Sequence, residues 1–209
     1  MSQMTSSGVA PSPRADQDAS LVADPRSLGL AAFATTTFVF GLSYTTIWDT
    51  NAGVASALAV ALVFGGAIQV LAGIWAFARR LVFAAVAFCS FGAFYVSYYL
   101  FVRSIATSLR GTDVKTAFAI FFLTWLILSS YVFIAAVGVS GAAAVIYFFW
   151  ALTYLLLVIG YFLGNANVII GGGAAGIATA AAAWYASCAF LVNSAFARMV
   201  LPLGAVRRS

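Results

Sequence analysis

The sequence has little charge and no histidine. Charged residues make up 7% of its 209 residues and hydrophobic residues 64%, and the mean hydropathy is +1.06. Soluble globular domains carry charge on about a quarter of their residues, so this composition excludes a soluble domain. Without histidine the chain lacks the most common general base and metal ligand, and the sequence shows no catalytic triad, phosphate-binding loop or metal-ligand cluster. We therefore expect neither an enzyme nor a bound cofactor.

Cysteine is also scarce. The two cysteines, Cys89 and Cys188, lie inside apolar segments and show no metal-binding or redox spacing. Isolated thiols in such positions are more often packed than reactive, so we assign them no chemical role.

Long apolar runs dominate what the chain does have. Six runs contain no Asp, Glu, Lys, Arg or His, and each is long enough to cross a membrane as a helix, which takes roughly 20 residues at about 1.5 Å rise per residue. Strands of a membrane barrel would instead alternate over about ten residues. The predicted spans are residues 28–47, 54–78, 81–102, 116–138, 141–163 and 168–196. The sequence thus predicts an all-α, polytopic membrane protein whose six transmembrane helices form one domain, residues 27–204.

The basic residues predict the orientation of these helices, because cytoplasmic loops carry an excess of Lys and Arg. On one side of the membrane the chain places Arg103, Arg110 and Lys115. On the side of both termini it places residues 14, 26, 79, 80, 198, 207 and 208. We therefore expect a plasma-membrane protein with both termini in the cytoplasm and with Asp49 and Asp113 outside.

The two ends of the chain are polar. Residues 1–26 are rich in Ser, Asp and Pro and contain no signal peptide, so we expect a disordered cytoplasmic tail there. Residues 205–209 form a short C-terminal tail on the same side. The net charge of +5 comes from basic residues scattered over segment ends, so we expect no nucleic-acid partner.

Small residues and amides interrupt the apolar runs. Two glycine pairs occur at helical spacing: Gly160 with Gly164, and Gly172 with Gly176. Such spacing favours close approach of helix backbones, within a subunit or between subunits. The amides of Gln69, Asn165 and Asn193 must each find a partner inside or beside a span. Interhelical hydrogen bonds, worth about 0.6 to 2 kcal/mol, are favoured over a polar lining that meets a permeating solute.

Aromatic residues are abundant, with 19 Phe, 9 Tyr and 5 Trp. Some must face the interior, because interfacial belts alone do not need so many. Phe33, Phe91 and Phe94 lie in the middle of predicted spans, where they either pack against lipid or narrow a pore that gates by dewetting. The spans also lack the acidic or histidine side chains of proton relays. A conduit, a receptor and a scaffold all remain open.

Three sets of motifs narrow this choice. Residues 63–95 contain G-G-x-x-Q-x-x-A-G and, after a basic turn, F-x-x-x-A-F-x-S-F-G-x-F. The residues concerned are Gly65, Gly66, Gln69, Ala72, Gly73, Phe83, Ala87, Phe88, Ser90, Phe91, Gly92 and Phe94. An N-terminal signature is formed by Asp24, Pro25, Leu28, Gly29 and Leu30, and Gly-Asn-Ala at 164–166 precedes N-x-x-F-x-R-x-V-L-P-L-G at 193–204. In this order the motifs resemble the acetate uptake transporter family, the bacterial acetate and succinate permeases and their fungal relatives.

The resemblance implies a six-helix protomer that assembles as a homo-hexamer in the lipid membrane, with a separate conduction path through each protomer. An apolar constriction in that path would be formed by Phe33, Phe91 and Trp150, with Leu152 as the alternative to Trp150. The expected polar lining is Thr36, Gln69 and Asn165. The expected substrates are acetate, with succinate as a second candidate, and protons.

Two departures from the family pattern concern the N-terminal signature, where Asp24 replaces Asn and Ser27 replaces the second Pro. The carboxylate of Asp24 would either repel an anionic substrate or cap the first helix. Because no side chain in the spans titrates near neutral pH, we expect proton-linked uptake in which the proton travels on the solute or along water. Two rival hypotheses are a channel for small neutral solutes or ammonia, and a non-transporting sensor or scaffold whose Phe33 and Phe91 face lipid.

Overall fold

The computed structural model describes residues 23–47 and 50–204, and in these ranges the chain is built from helices. We number them α1, Arg26–Ser43; α2, which joins Thr50–Val60, the π-helical Ala61–Ile68 and Gln69–Ala78; α3, Val82–Leu100; α4, Thr112–Val137; α5, Gly141–Leu163; and α6, Ala166–Ala195. A π-helical turn, Phe101–Ile105, and a 3-10 turn, Ala106–Ser108, extend α3. The all-α prediction is confirmed. Residues 1–22 of the expected N-terminal tail 1–26, the whole expected C-terminal tail 205–209 and Asp49 lie outside the described residues. Arg26, the last residue of the expected N-terminal tail, is instead the first residue of α1.

Five of these helices are long and apolar enough to cross a membrane: Asn51–Ala78, Val82–Ser108, Asp113–Val137, Gly141–Leu163 and Ala166–Ala195. The multi-pass membrane assignment therefore stands. Helix α1 is not among the five. It has 18 residues, begins at Arg26 and contains three consecutive threonines, so it spans only about 27 Å at 1.5 Å per residue. A sixth span formed by α1 stays a prediction.

Helix α1 lies inside the bundle, where it packs most extensively against α6 and also contacts α2 and α3. Its close approach to α6 depends on glycine, because a Cβ on Gly41 would lie 2.8 Å from the carbonyl oxygen of Gly173. Gly172 faces Leu157 of α5, and Gly176 faces Gly41. The prediction that this glycine pair brings helix backbones together is confirmed within the subunit.

The glycine motif of α2 serves the same purpose against α3. A Cβ on Gly73 would lie 2.8 Å from the backbone nitrogen of Cys89, and a Cβ on Gly92 would lie 3.1 Å from the carbonyl oxygen of Gly66. The two helices therefore pack backbone to backbone over this stretch, within which Gln69 of α2 is fully buried.

The segment after α6 returns to the bundle and is held by Asn193. The carboxamide of Asn193 donates to the carbonyl oxygen of Leu201 at 2.8 Å and accepts from the backbone N–H groups of Val200 and Leu201. The backbone N–H of Gly141, the first residue of α5, then donates to the carbonyl oxygen of Gly204 at 2.7 Å. Asn193 thus has a structural role, although the favoured interpretation expected a partner on another helix and its partners are instead the backbone groups of the segment after α6.

Candidate solute path

Four aromatic side chains from α1, α3 and α5 meet in the middle of the bundle. The ring of Phe33 lies 5.3 Å from that of Trp150 and 5.9 Å from that of Phe91, and Phe91 lies 6.1 Å from Trp150. Tyr147 stacks on Phe91 at 5.7 Å. We call Phe33, Phe91, Tyr147 and Trp150 the aromatic neck. None of the four is more than 3% exposed, so in this chain Phe33 and Phe91 face the interior of the bundle.

The structure thus brings together the three residues that were expected at a constriction, although their action on a solute stays a prediction. Tyr147 was missed. It lies one helical turn before Trp150 on the same face of α5, and that spacing is a signal in the sequence that could have found it. Leu152 lies outside the neck and is only half-buried, because it points to a different face of α5.

One cavity lies next to the neck, at the end of the bundle where α1 begins. It has a volume of about 60 Å³ and is lined by residues of α1, α3, α5 and α6, among them Arg26, Leu30, Phe83, Ser140, Tyr147 and Phe190. We call it the Arg26 cavity. Its wall is mostly apolar, and Tyr147 forms part of both the cavity and the neck.

A second cavity lies at the other end of the bundle. Its volume is about 270 Å³, and its wall includes Tyr44, Thr45, Tyr98, Phe118 and Tyr161. We call it the tyrosine cavity. Along α1, Leu30 in the first cavity and Tyr44 in the second lie about 21 Å apart at 1.5 Å per residue. The aromatic neck, with Phe33 on the same helix, lies between them.

Aromatic rings fill the space between the neck and the tyrosine cavity. Phe40 contacts Trp150 at 5.8 Å, Phe94 at 5.6 Å and Tyr98 at 5.1 Å, and Tyr154 contacts Trp150 at 4.6 Å. In this conformation these rings separate the two cavities.

Several polar side-chain atoms are buried in the bundle without a partner. The hydroxyl of Thr36, both amide atoms of Gln69, the indole nitrogen of Trp150 and the hydroxyl of Tyr154 have no hydrogen-bond partner within the described residues. A buried polar group without a partner costs about 1–3 kcal/mol, so such groups are rare and call for an explanation. They supply both donors and acceptors that a small polar solute could use.

Gly65, in the π-helical part of α2, lies against the side chain of Thr36. A Cβ on Gly65 would lie 2.8 Å from the hydroxyl oxygen of Thr36 and 2.9 Å from the ring of Tyr95. Gln69 follows Gly65 by one helical turn and is fully buried. Thr37, by contrast, is satisfied, since its hydroxyl donates to the carbonyl oxygen of Phe33 and bonds the hydroxyl of Tyr95.

Asn165 differs from the expectation that it lines the path. It is the N-cap of α6, where its carboxamide oxygen accepts from the backbone N–H groups of Asn167 at 3.0 Å and Val168 at 3.4 Å. The residue is exposed. Its amide therefore satisfies helix α6 rather than a solute in the neck, as asparagine commonly does at this position.

The N-terminal signature begins α1. Pro25 is the N-cap, and Asp24 accepts a hydrogen bond from the backbone N–H of Arg26 at 3.0 Å. Burial raises the pKa of Asp24, but hydrogen bonds from the side chain and backbone of Arg26 outweigh it and hold this pKa below its usual value. Gly29 leaves room for the ring of Phe88, while Leu28 remains 37% exposed.

Both the sequence and the fold are similar to those of known membrane proteins. The sequence profile of the GPR1/FUN34/yaaH family matches residues 7–205. Acetate permease A of Emericella nidulans is 30% identical over 197 residues, which are 87% of this chain and 65% of that protein. The succinate-acetate/proton symporter SatP of Escherichia coli strain K12 is 29% identical over 187 residues, 88% of this chain and 96% of that protein.

A solved structure, that of the bacterial acetate channel SatP, superposes with a TM-score of 0.80 at 25% identity, covering 88% of this chain and 99% of the other. The chain is shorter than the fungal relatives, since it spans 65% of acetate permease A and 59% of two yeast proteins.

Proposed function

The chain belongs to the GPR1/FUN34/yaaH family, and from this membership we propose that it is a permease or channel for acetate and other small carboxylates, and not an enzyme. The aromatic neck between two cavities is the observation that carries the proposal. The names of acetate permease A, of the symporter SatP and of the solved SatP channel support the substrate class, because each contains acetate. One of the two yeast proteins is instead named for outward ammonia transport. Succinate is the second candidate substrate.

Six spans, with α1 as the first, fit the bundle. Phe33 and Phe40 of α1 are buried among rings of α3 and α5, so α1 must share the depth of those helices. Residues 27–204 would form the transport domain, with cytoplasmic tails at residues 1–26 and 205–209. Under the positive-inside rule both termini are then cytoplasmic in the plasma membrane.

A homo-hexamer with one path in each protomer is the assembly that the family resemblance implies. Large apolar side chains on the outside of α4 are available to lipid or to a neighbouring subunit, among them Ile127 at 63% and Ile134 at 71% exposure. The aromatic neck and both cavities are lined by residues of one chain, so conduction along them would not need residues from a second protomer.

The chemistry of the neck favours transport of the uncharged acid. The neck has no ionised group, so a carboxylate there would lose its water without gaining a counter-ion. Thr36 and Gln69 provide hydrogen bonds that offset part of this cost. A carboxyl group with a pKa of about 4.3 is protonated in roughly one molecule in 500 at pH 7. Carrying that proton also removes the electrical penalty of about 2.3 kcal/mol per charge at 100 mV.

Flux measurements in reconstituted vesicles test the proposal. We expect purified protein to accelerate the uptake of labelled acetate above the rate in protein-free vesicles, and unlabelled acetate to compete. Protein-free vesicles are the control, because acetic acid also crosses lipid. Faster uptake of ammonia or urea than of acetate would favour the channel for small neutral solutes. Equal acetate uptake with and without protein would favour a sensor or scaffold.

A further inference from the structure

Arg26, which lines the Arg26 cavity, forms an ion pair with Asp24. The proposed passage of the uncharged acid through the neck gives this pair no role. Nε of Arg26 lies 3.0 Å and 2.9 Å from the two carboxylate oxygens of Asp24, and a terminal nitrogen of Arg26 lies 2.5 Å from one of them. The two side chains are 36% and 34% exposed. A planar guanidinium that holds a carboxylate through two nitrogens is the geometry that arginine uses for carboxylate recognition.

Arg26 is also held in place on the cavity side. Its guanidinium carbon lies 4.2 Å from the ring centre of Phe190, and both residues line the cavity. Tyr147, which lines the same cavity, stacks on Phe91 in the neck. A solute carboxylate that reaches the neck from this end therefore passes a fixed positive charge immediately beforehand.

The carboxylate that Arg26 binds in this structure is the side chain of Asp24 in the same protein. Of the described residues only Asp24 and Asp113 are acidic, and Asp113 lies in the first turn of α4, at the opposite end of the bundle. Arg79 is close enough to act electrostatically on Asp24, so the mouth carries a positive charge overall. Asp24 occupies the hydrogen-bonding edge of Arg26 that a solute carboxylate would need.

We propose that Arg26 is a carboxylate-binding residue at the mouth of the path and that Asp24 is its built-in competitor, which weakens the binding of an incoming monocarboxylate. This inference rests on the proposed transport function. The side chain of Asp24 has two roles that can be separated. It caps the N–H of Arg26, which an asparagine carbonyl can also do, and it neutralises the guanidinium, which asparagine cannot do.

A double-mutant cycle tests the proposal, with Asp24→Asn, Arg26→Gln and the two combined. The readout is the half-saturating concentration for equilibrium exchange of labelled acetate in vesicles at one fixed pH, where both faces see the same acetate concentration. We expect Asp24→Asn to lower this concentration about threefold, the scale of an exposed ion pair. Arg26→Gln should raise it, and Asp24→Asn should then have no further effect.

Three controls sharpen the test. Asp113→Asn makes the same charge change at the opposite end and should leave half-saturation unchanged. Acetamide, which has the size of acetate but no charge, should compete equally with exchange in the wild type and in Asp24→Asn. Arg26→Lys keeps the charge without the planar fork, so in that background Asp24→Asn should still lower half-saturation, but by less than in the wild type. This comparison carries the test if Arg26→Gln does not fold.

The outcomes separate this inference from the proposed function. Without protein-dependent acetate exchange in the wild type, the proposed function fails. With exchange in the wild type but unchanged half-saturation in Asp24→Asn, or with the same decrease in the Arg26→Gln background, acetate transport stands and the role of the Asp24–Arg26 pair is overturned.

Discussion

Gln69 is fully buried, and neither atom of its amide has a hydrogen-bond partner within the described part of the chain. Asn193 has three hydrogen bonds to the segment after α6. Both are amides in apolar spans, and the sequence alone gives them the same two interpretations. The difference arises from their neighbours, because Asn193 lies beside the returning backbone of Val200 and Leu201, whereas Gln69 is buried with no polar group of the described residues in hydrogen-bonding reach.

This contrast predicts opposite effects on stability. Gln69→Leu removes a buried polar group that lacks a partner, so we expect the thermal unfolding midpoint in detergent to rise, by the equivalent of about 1–3 kcal/mol. Acetate uptake should fall at the same time. Asn193→Leu is the matched control, and it should lower the midpoint because it leaves backbone groups unpaired. A fall in the midpoint for both variants would show that Gln69 joins helices.

Phe91 is the neck residue at which selectivity is best tested. Phe91→Ala removes a ring that contacts Phe33, Tyr147 and Trp150, so the neck should widen and admit larger acids. We expect succinate to inhibit acetate uptake several-fold more strongly than in the wild type.

Phe162→Ala provides the control for this change, because Phe162 lies on α5 with 57% of its surface exposed. It should leave the inhibition profile as it is. An unchanged profile in Phe91→Ala, with acetate uptake retained, would remove Phe91 from the lining.

At the scale of the helices, the contact between α1 and α6 is the most demanding packing. Gly41→Ala would place a Cβ 2.8 Å from the carbonyl oxygen of Gly173, and overpacking of this kind typically costs about 1–3 kcal/mol. We expect a lower unfolding midpoint. Gly171→Ala is the control on α6, because its Cβ would meet only Leu156, at 3.8 Å. Equal midpoints for the two variants would contradict the close contact.

Most helix bounds followed from the sequence, because charges and turn residues delimit the apolar runs. Helix α5 occupies the predicted residues 141–163, and α6 begins two residues before its predicted start. The π-helical segment Ala61–Ile68 was not predicted. It lies within a uniformly apolar run that contains two adjacent glycines, so hydrophobic periodicity does not reveal the change in hydrogen bonding.

The residues of the candidate path could be predicted from the sequence only in part. Motif positions identified Phe33 and Phe91, but Tyr147 carries no motif and needed the helix face of α5. Asn165 was assigned from its side-chain type, whereas its place before a helix made it an N-cap. The pairing of Asp24 with Arg26 depends on side-chain geometry at the start of α1, which sequence spacing does not specify.

For the whole molecule, the number of spans decides where the termini lie. If α1 crosses the membrane, six spans place both ends of the chain on the cytoplasmic side. We expect fluorescent tags at the two ends to be equally protected from a quencher added outside intact cells. Quenching of one tag alone would mean an odd number of spans, with α1 left inside the bundle without crossing.

For the whole protein, the absence of charge in the neck leads us to expect that acetate crosses as the protonated, uncharged acid. The protonated fraction of acetate is about 100-fold larger at pH 6 than at pH 8. The most direct measurement is therefore labelled-acetate uptake into proteoliposomes at these two pH values, with uptake into protein-free vesicles subtracted at each. The account predicts a faster protein-dependent rate at pH 6, and equal rates at both pH values would contradict it.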